Sequence, residues 1–304
     1  MSDTRTILLI GAAGQVGRAL RRDLAPLGSM IALDLPELDI TDSARLSALI
    51  LAQKPAILVN AAAYTAVDKA ESDPHAAQAV NAAAVGTMAA ACRQTGTFMV
   101  HYSTEYVFDG LGDRPYRPED APNPLSVYGR TKLAGEQALL AAAPAALILR
   151  TSWVFGLHGG NFVKTILRLA RTRDELRIVA DQIGQPTPAE LVSSVTALIL
   201  YRMIAQGMPL HRPATYHLAA SRPVTWHQFA CTILEQAHAL GFDLKASARN
   251  VVPITTLEYP LPAKRPANSR LDVSALEQAF DLRMPDWLPY LTRMLEDLKR
   301  GEAG

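Results

Sequence analysis

A tyrosine and a lysine stand four residues apart in "SVYGRTKLAGEQALL", a stretch patterned as a helix, so Tyr128 and Lys132 share one helix face. Reduction or oxidation at a carbonyl carbon needs such a pair: a proton donor for the oxygen and a cation beside it. A phenol is a weak acid, with an ordinary pKa of about 10. A neighbouring ammonium group favours the ionised form and moves that value toward working pH, where proton transfer is efficient. Thr104, closing the apolar run "FMVHYST", offers a hydroxyl to the same oxygen. Taken alone, a Y-x-x-x-K spacing also describes the solvated side of an amphipathic helix, and the spacing leaves both readings open.

The second motif is "GAAGQVG", which sets Gly11, Gly14 and Gly17 directly after the apolar run "TILLIG" and at the opening of a helix. Glycine permits a tight turn there and lets the backbone approach a pyrophosphate at the positive end of the helix. Asp34 ends the next apolar run, where a carboxylate accepts hydrogen bonds from an adenosine ribose. The glycines and the acid agree on a dinucleotide, against a tight turn that binds no nucleotide. Asp34 disfavours a 2′-phosphate and so favours NADH, whereas Arg18 and Arg21 in the first helix could offset it. NADH and NADPH both stay open. Ligands of open α/β sheets bind beyond the carboxyl ends of the strands, where Thr104 falls. With that context catalysis is the better reading of Tyr128 and Lys132, and Lys132 is long enough to reach a nicotinamide ribose.

These residues need a scaffold, and the first half of the chain alternates short apolar runs with longer helical stretches. "TILLIG", "MIALD", "AILVNAAA", "FMVHYST" and "ALILRTSW" read as strands. "QVGRALRRDLAPLG", "SARLSALILAQKP", "PHAAQAVNAAAVGTMAAACRQTG" and the Tyr128 segment read as helices. Nearly all-apolar strands alternating with helices predict a Rossmann-type, doubly wound parallel sheet covered on both faces. Beyond Thr151 the rhythm weakens. "NFVKTILRLARTRDELRIV" and "AELVSSVTALILYRMIAQG" read as helices, and "TYHLAA" as a strand returning to the sheet. The expectation is a dinucleotide-binding domain over residues 1–152, rejoined by 189–222, with a smaller interleaved substrate lobe from 153–188 and 223–304.

Composition sets broad limits. The 304 residues are 49% apolar and 19% charged, with a net charge of +1, which suits a globular chain and gives no global attraction to nucleic acid or an acidic membrane. The two cysteines, Cys92 and Cys231, lack metal-ligand spacing and read as incidental thiols of a reducing compartment. "ILLIG" is too short for a secretory core, and "ALLAAAPAALIL", broken by Pro144, falls below the ~20 residues that span a bilayer. A cytoplasmic protein is expected. No histidine set has metal spacing, and G-x-S-x-G is absent. His101 and His217 read as structural.

Together the glycine turn, Thr104 and the Tyr128–Lys132 pair resemble the extended short-chain dehydrogenase/reductase superfamily. The blocks "VNAAAYTAVDKAE", "VHYSTEYVFDG", "PLSVYGRTKLAGE", "LRTSWVFG", "DQIGQPT" and "RPANSRLD" narrow the resemblance to the dTDP-4-dehydrorhamnose reductase family over almost the whole chain. That resemblance implies hydride delivery from NADPH or NADH to the C4 ketone of a dTDP-sugar. Tyr128 would be the proton donor, Lys132 its tuner and ribose ligand, and Thr104 the holder of the ketone. It further implies Gly14, Gln15 and Val16 at the pyrophosphate, Asp34, Asp39 and Ile40 near the adenosine, and Ala63, Tyr64, Thr65 and Tyr102 along the cofactor. Thr104, Glu105 and Trp153 would meet the sugar nucleotide. Glu105 departs from the aspartate common in the family. Some members are described as homodimers with interfacial magnesium. Here Glu190 is retained, but the first helix offers Ala19 and arginines, so Mg2+ is not assigned and a homodimer stays open.

Several residues keep two readings. Trp153 could stack on a sugar or base, or sit half-buried between lobes. Arg265, Asn268 and Arg270 could clamp a diphosphate, or form a solvated basic loop. Asn161 fits a helix cap, and Asp181 and Gln182 fit either role. Rival functions are another nucleotide-sugar epimerase or dehydratase, which would retain tightly bound NAD, and a non-catalytic regulatory subunit that binds NADP.

Overall fold

The apolar runs of the first half become strands with no polar face to give to water, and the segments between them become helices that cover both sides. In the computed structural model, which describes residues 5–142, 144–206 and 212–302, these are β1 (Thr6–Ile10), α1 (Gln15–Asp23), β2 (Ser29–Leu33), α2 (Ser43–Gln53) and β3 (Ile57–Asn60). Next come α3 (Val67–Ser72), α4 (Pro74–Gln78), a π-turn over Ala79–Ala83, α5 (Ala84–Thr95), β4 (Phe98–Thr104), α6 (Val127–Ala142) and β5 (Ala146–Thr151). The second half adds β6 (Val154–Phe155), α7 (Phe162–Thr172), β7 (Leu176–Val179), β8 (Ile183–Gly184), β9 (Thr187–Pro188) and α8 (Ala189–Gln206). It closes with β10 (Ala214–His217), β11 (Val224–Thr225), α9 (Trp226–Ala239), β12 (Val251–Ile254), α10 (Ser274–Phe280) and α11 (Leu288–Glu302).

The main sheet is parallel throughout, in the order β10-β5-β4-β3-β1-β2. Strand order reverses between β1 and β3, so a crevice opens at their carboxyl ends. Alternate residues of β1 feed different cores. Ile7 and Leu9 pack with α1, α7, α8 and α9, whereas Leu8 and Ile10 pack with α2, α5 and α6. Both faces being covered explains why the strands read as continuous apolar runs.

Two helical readings need correction. "NFVKTILRLARTRDELRIV" is not one helix: α7 stops at Thr172, and Leu176–Val179 pairs in parallel with Val251–Ile254. Leu176 is buried and Arg177 exposed, a strand alternation that a helical reading of one long window hides. The "PHAAQAVNAAAV" stretch carries the π-turn between α4 and α5, a form that often marks functional sites. Among the described residues no helix is long and apolar enough to cross a membrane.

Candidate active site

The glycine turn is built as its spacing requires. Gly11 has φ +81°, and a Cβ there would collide with the backbone of Ala62 at the end of β3. A Cβ on Gly17 would strike the Gly11 carbonyl, so α1 can start this close to β1 only with glycine at both positions. The first intrahelical bond runs from Arg18 N–H to Gly14 O (3.0 Å). The N–H groups of Gln15, Val16 and Gly17 precede it and point along the helix axis, as an anion requires. Asp34 staples the turn, its Oδ2 accepting from Ala13 N–H (2.7 Å) and its Oδ1 from Leu35 N–H (2.9 Å).

A groove of about 380 Å3 runs along these strand ends, lined among others by Gly11, Gly14, Asp34, Asp39, Ile40, Ala63 and Tyr64. Its far wall is held by Asn81, a buried residue of the π-turn. Asn81 Oδ1 accepts from Tyr64 N–H (2.9 Å), and its Nδ2 donates to Tyr64 O (3.1 Å) and Thr131 Oγ1 (3.2 Å). Within that wall the Tyr64 hydroxyl is buried with no partner. Asp39 accepts from both the N–H and the hydroxyl of Thr41, and these bonds hold its carboxyl below the usual range.

On α6 the polar stripe points inward. Tyr128 is half-buried, and Lys132 and Glu136, at the same i,i+4 spacing, are 2% and 1% exposed, while Leu140 is 45% exposed. The solvated-face reading is therefore excluded. Two glycines seat the helix this deeply, for a Cβ on Gly129 or Gly135 would collide with the carbonyls of Tyr106 and Asn81. Ser126 starts α6 by accepting from Gly129 N–H (3.1 Å), an N-cap worth about 1 kcal/mol. Lys132 Nζ donates to the carbonyl of Tyr102 (2.7 Å). Burial brings its ammonium down to about 8, with Glu136 opposing. Behind it Glu136 and Arg150 form a buried bidentate pair (2.9 and 2.7 Å) between α6 and β5.

Thr104 lies where β4 ends. Its hydroxyl donates to Glu105 Oε2 (2.7 Å), accepts from Tyr106 N–H (3.2 Å), and meets the Tyr128 phenol. Glu105 is 3% exposed, and burial pushes its carboxyl up to about 7 despite bonds from Thr104 and the Trp153 backbone. The Tyr128 phenol is raised above its ordinary value, first by burial and then by Glu105. That direction is opposite to the one expected from the Tyr–Lys spacing. The reason is geometric: burial of the phenol dominates, and the ammonium, bonded to the Tyr102 carbonyl, is itself weakened by burial.

Other expected residues sort differently. Tyr102 turns its ring into the main core, its hydroxyl bonded to Thr196 of α8 (2.7 Å), so it gives the site its carbonyl. Thr65 is exposed beside the groove. The Gln15 side chain accepts from Asn161 (2.9 Å), and Asn161 caps α7 by accepting from Lys164 N–H (3.2 Å). Trp153, at φ +46°, stacks on Trp226 with centroids 3.5 Å apart. In the proline-rich loop the polar side chains of Arg265, Asn268 and Arg270 are engaged within the protein, while Tyr259, Leu261 and Lys264 stay exposed. Arg265 pairs with Asp68 on α3 (2.7 Å), Asn268 donates to Gly112 and Arg114 carbonyls, and Arg270 donates to Asn268. Asp181 accepts from Thr256, and Gln182 donates to it. Glu190 lies 3.8 Å from Arg22, and among the described residues no His, Cys, Asp or Glu cluster could hold a metal. Asn81, Glu136 and Arg150 were not singled out from the sequence. The inward i,i+4 series Tyr128–Lys132–Glu136 was the available signal for Glu136.

The family described as the RmlD substrate binding domain matches residues 5–300. The dTDP-4-dehydrorhamnose reductase of Shigella flexneri is 46% identical over 296 residues, covering 96% of this chain and 97% of its own. The dTDP-4-dehydrorhamnose reductase structure from Clostridium acetobutylicum superposes with a TM-score of 0.86 at 36% identity, covering 97% of this chain and 99% of that one. The Bacillus anthracis reductase in complex with NADP superposes with a TM-score of 0.85 at 32% identity, over the same shares.

Proposed function

The chain belongs to the family described as the RmlD substrate binding domain, and on that premise we propose that it reduces the C4 ketone of dTDP-4-dehydro-L-rhamnose to give dTDP-L-rhamnose, with NADPH or NADH as donor. The observation that carries the proposal is the buried Lys132 one turn along α6 from Tyr128, its ammonium bonded to the Tyr102 carbonyl of β4, the strand that ends at Thr104. The groove suits a dinucleotide: its turn tolerates no Cβ at Gly11 or Gly17, α1 aims N–H groups at it, and the buried Tyr64 hydroxyl lacks a partner.

In this reading Gln15, Val16 and Gly17 hold the pyrophosphate through backbone N–H groups, and Asp34 holds the adenosine ribose with its remaining lone pairs. Asp39 and Ile40 border the adenine, while Ala63, Tyr64 and Thr65 follow the cofactor past β3. The reduced nicotinamide supplies the hydride when bound. Tyr128 gives its proton to the substrate oxygen, and its raised pKa keeps that proton in place at neutral pH. Thr104 holds the same oxygen, Lys132 supports the phenolate left behind, and Trp153 contacts the sugar nucleotide. A cytoplasmic location and assembly as a homodimer belong to the same proposal.

The test couples purified protein with dTDP-4-keto-6-deoxyglucose, the matching 3,5-epimerase, and NADPH or NADH, following loss of the reduced cofactor. Oxidation with at least one donor is expected, and none with either overturns the reading. Tyr128→Phe should lower kcat by roughly 10²- to 10⁴-fold with cofactor Kd unchanged within about twofold. Wild-type turnover in that variant would mean another proton donor. Purified protein carrying stoichiometric NAD would favour an epimerase or dehydratase instead.

A further inference from the structure

Thr104 has one proton to give and two lone pairs with which to accept. The proton and one lone pair are in use: the hydroxyl accepts from Tyr106 N–H (3.2 Å) and donates to Glu105 Oε2 (2.7 Å). With Glu105 ionised this arrangement faces the wrong way for reduction. The Thr104 proton goes to the carboxylate and does not reach a ketone, which only accepts.

Protonating Glu105 reverses the chain. The carboxylic acid then donates to Thr104 Oγ1, which fills its second lone pair beside Tyr106 N–H, and the Thr104 proton must turn outward. Thr104 then offers its proton to an external oxygen, as polarisation of a ketone requires. On the reductase reading above, we propose that Glu105 is a positioning residue, held as the neutral acid so that Thr104 aims its hydroxyl proton at the substrate carbonyl.

Its surroundings favour that form. Glu105 is 3% exposed, its hydrogen-bonding neighbours are Thr104 and the backbone of Glu105 itself and of Trp153, and among the described residues no cation pairs with it. Burial accordingly raises its carboxyl to about 7. The ionisable groups around this cluster are Tyr106 from the turn after β4, Tyr128 and Lys132 from α6, Asp68 from α3, and Arg265 from the proline-rich loop. Asp68 and Arg265 neutralise each other in a bidentate pair. Lys132 loses its proton at about 8, so the informative window lies below that.

The experiment is single-turnover oxidation of NADPH at saturating substrate, between about pH 6 and about pH 8. Wild type should slow roughly tenfold across that window as Glu105 ionises. Glu105→Gln, whose amide donates permanently to Thr104, should keep the acid-side rate within about threefold and change less than about twofold with pH. Thr104→Val guards against failure of that variant to fold: with no hydroxyl to orient, its slower rate should lose the same pH limb. A flat wild-type profile, or a limb surviving in a folded Glu105→Gln or in Thr104→Val, overturns the proposal. Absence of turnover at every pH overturns the reductase reading instead.

Discussion

Lys132 carries its charge in a place that disfavours charge. It is 2% exposed, and burial lowers its pKa from 10.5 to about 8. Between those values the unfolded chain binds more protons than the native one, so native stability rises with pH across that window and is depressed below it. The stability of wild type relative to Lys132→Met should therefore improve by roughly 1 kcal/mol per unit between about pH 8 and about pH 10. Paired urea unfolding curves measure this, and a difference independent of pH would mean the buried ammonium is solvated. The residues that touch the reacting atoms were legible because chemistry restricts their type: Tyr128, Lys132 and Thr104 each have few substitutes. The direction of the Tyr128 shift was not legible. It depends first on how deeply the phenol is buried, and residue spacing places only the Cα atoms.

At the scale of elements, the parallel strands were readable because each is buried on both faces and so has no polar positions to confuse the pattern. The π-turn was not. It adds one residue to a helical run without changing composition, and its effect is to turn Asn81 toward the loop after β3 and toward α6, where it closes two hydrogen bonds to Tyr64 and one to Thr131. Two of these fix the backbone of Tyr64, which lines the groove. Asn81→Leu removes the donor and acceptor together and leaves Tyr64 N–H and O to find other partners. Each unpaired buried group costs about 1–3 kcal/mol, so the loop should loosen. Cofactor Kd should rise roughly tenfold, or about 1.4 kcal/mol, read by quenching of protein fluorescence. Unchanged affinity would show that Tyr64 is held by its neighbours without Asn81. Asn161 was readable for the opposite reason, since an asparagine before an apolar periodic run is a local cap signal.

Across the whole molecule, the segments after Thr151 show why the second half was the harder half to read. β6 pairs with β9 and β8 with β11, each over only two residues. Such strands have no periodicity of their own, and exist because distant segments meet. Their meeting point is an aromatic seam: Trp153 follows β5, lies against Gly184 of β8, and stacks on Trp226 at the start of α9, which in turn touches Phe162 of α7. A Cβ on Gly184 would lie 2.6 Å from Cζ2 of the Trp153 indole. In Gly184→Ala the indole must therefore move, and Trp153 also supplies a backbone hydrogen bond to Glu105. Overpacking of this kind costs about 1–3 kcal/mol. The groove at the glycine turn is built from other strand ends, so cofactor Kd should stay within about twofold while KM for the sugar nucleotide rises roughly tenfold. Steady-state kinetics with a parallel cofactor titration separates the two. If cofactor and sugar affinities fall together, the seam supports the whole cleft and not the substrate side alone; if neither moves, Trp153 is packing between segments and does not contact the sugar.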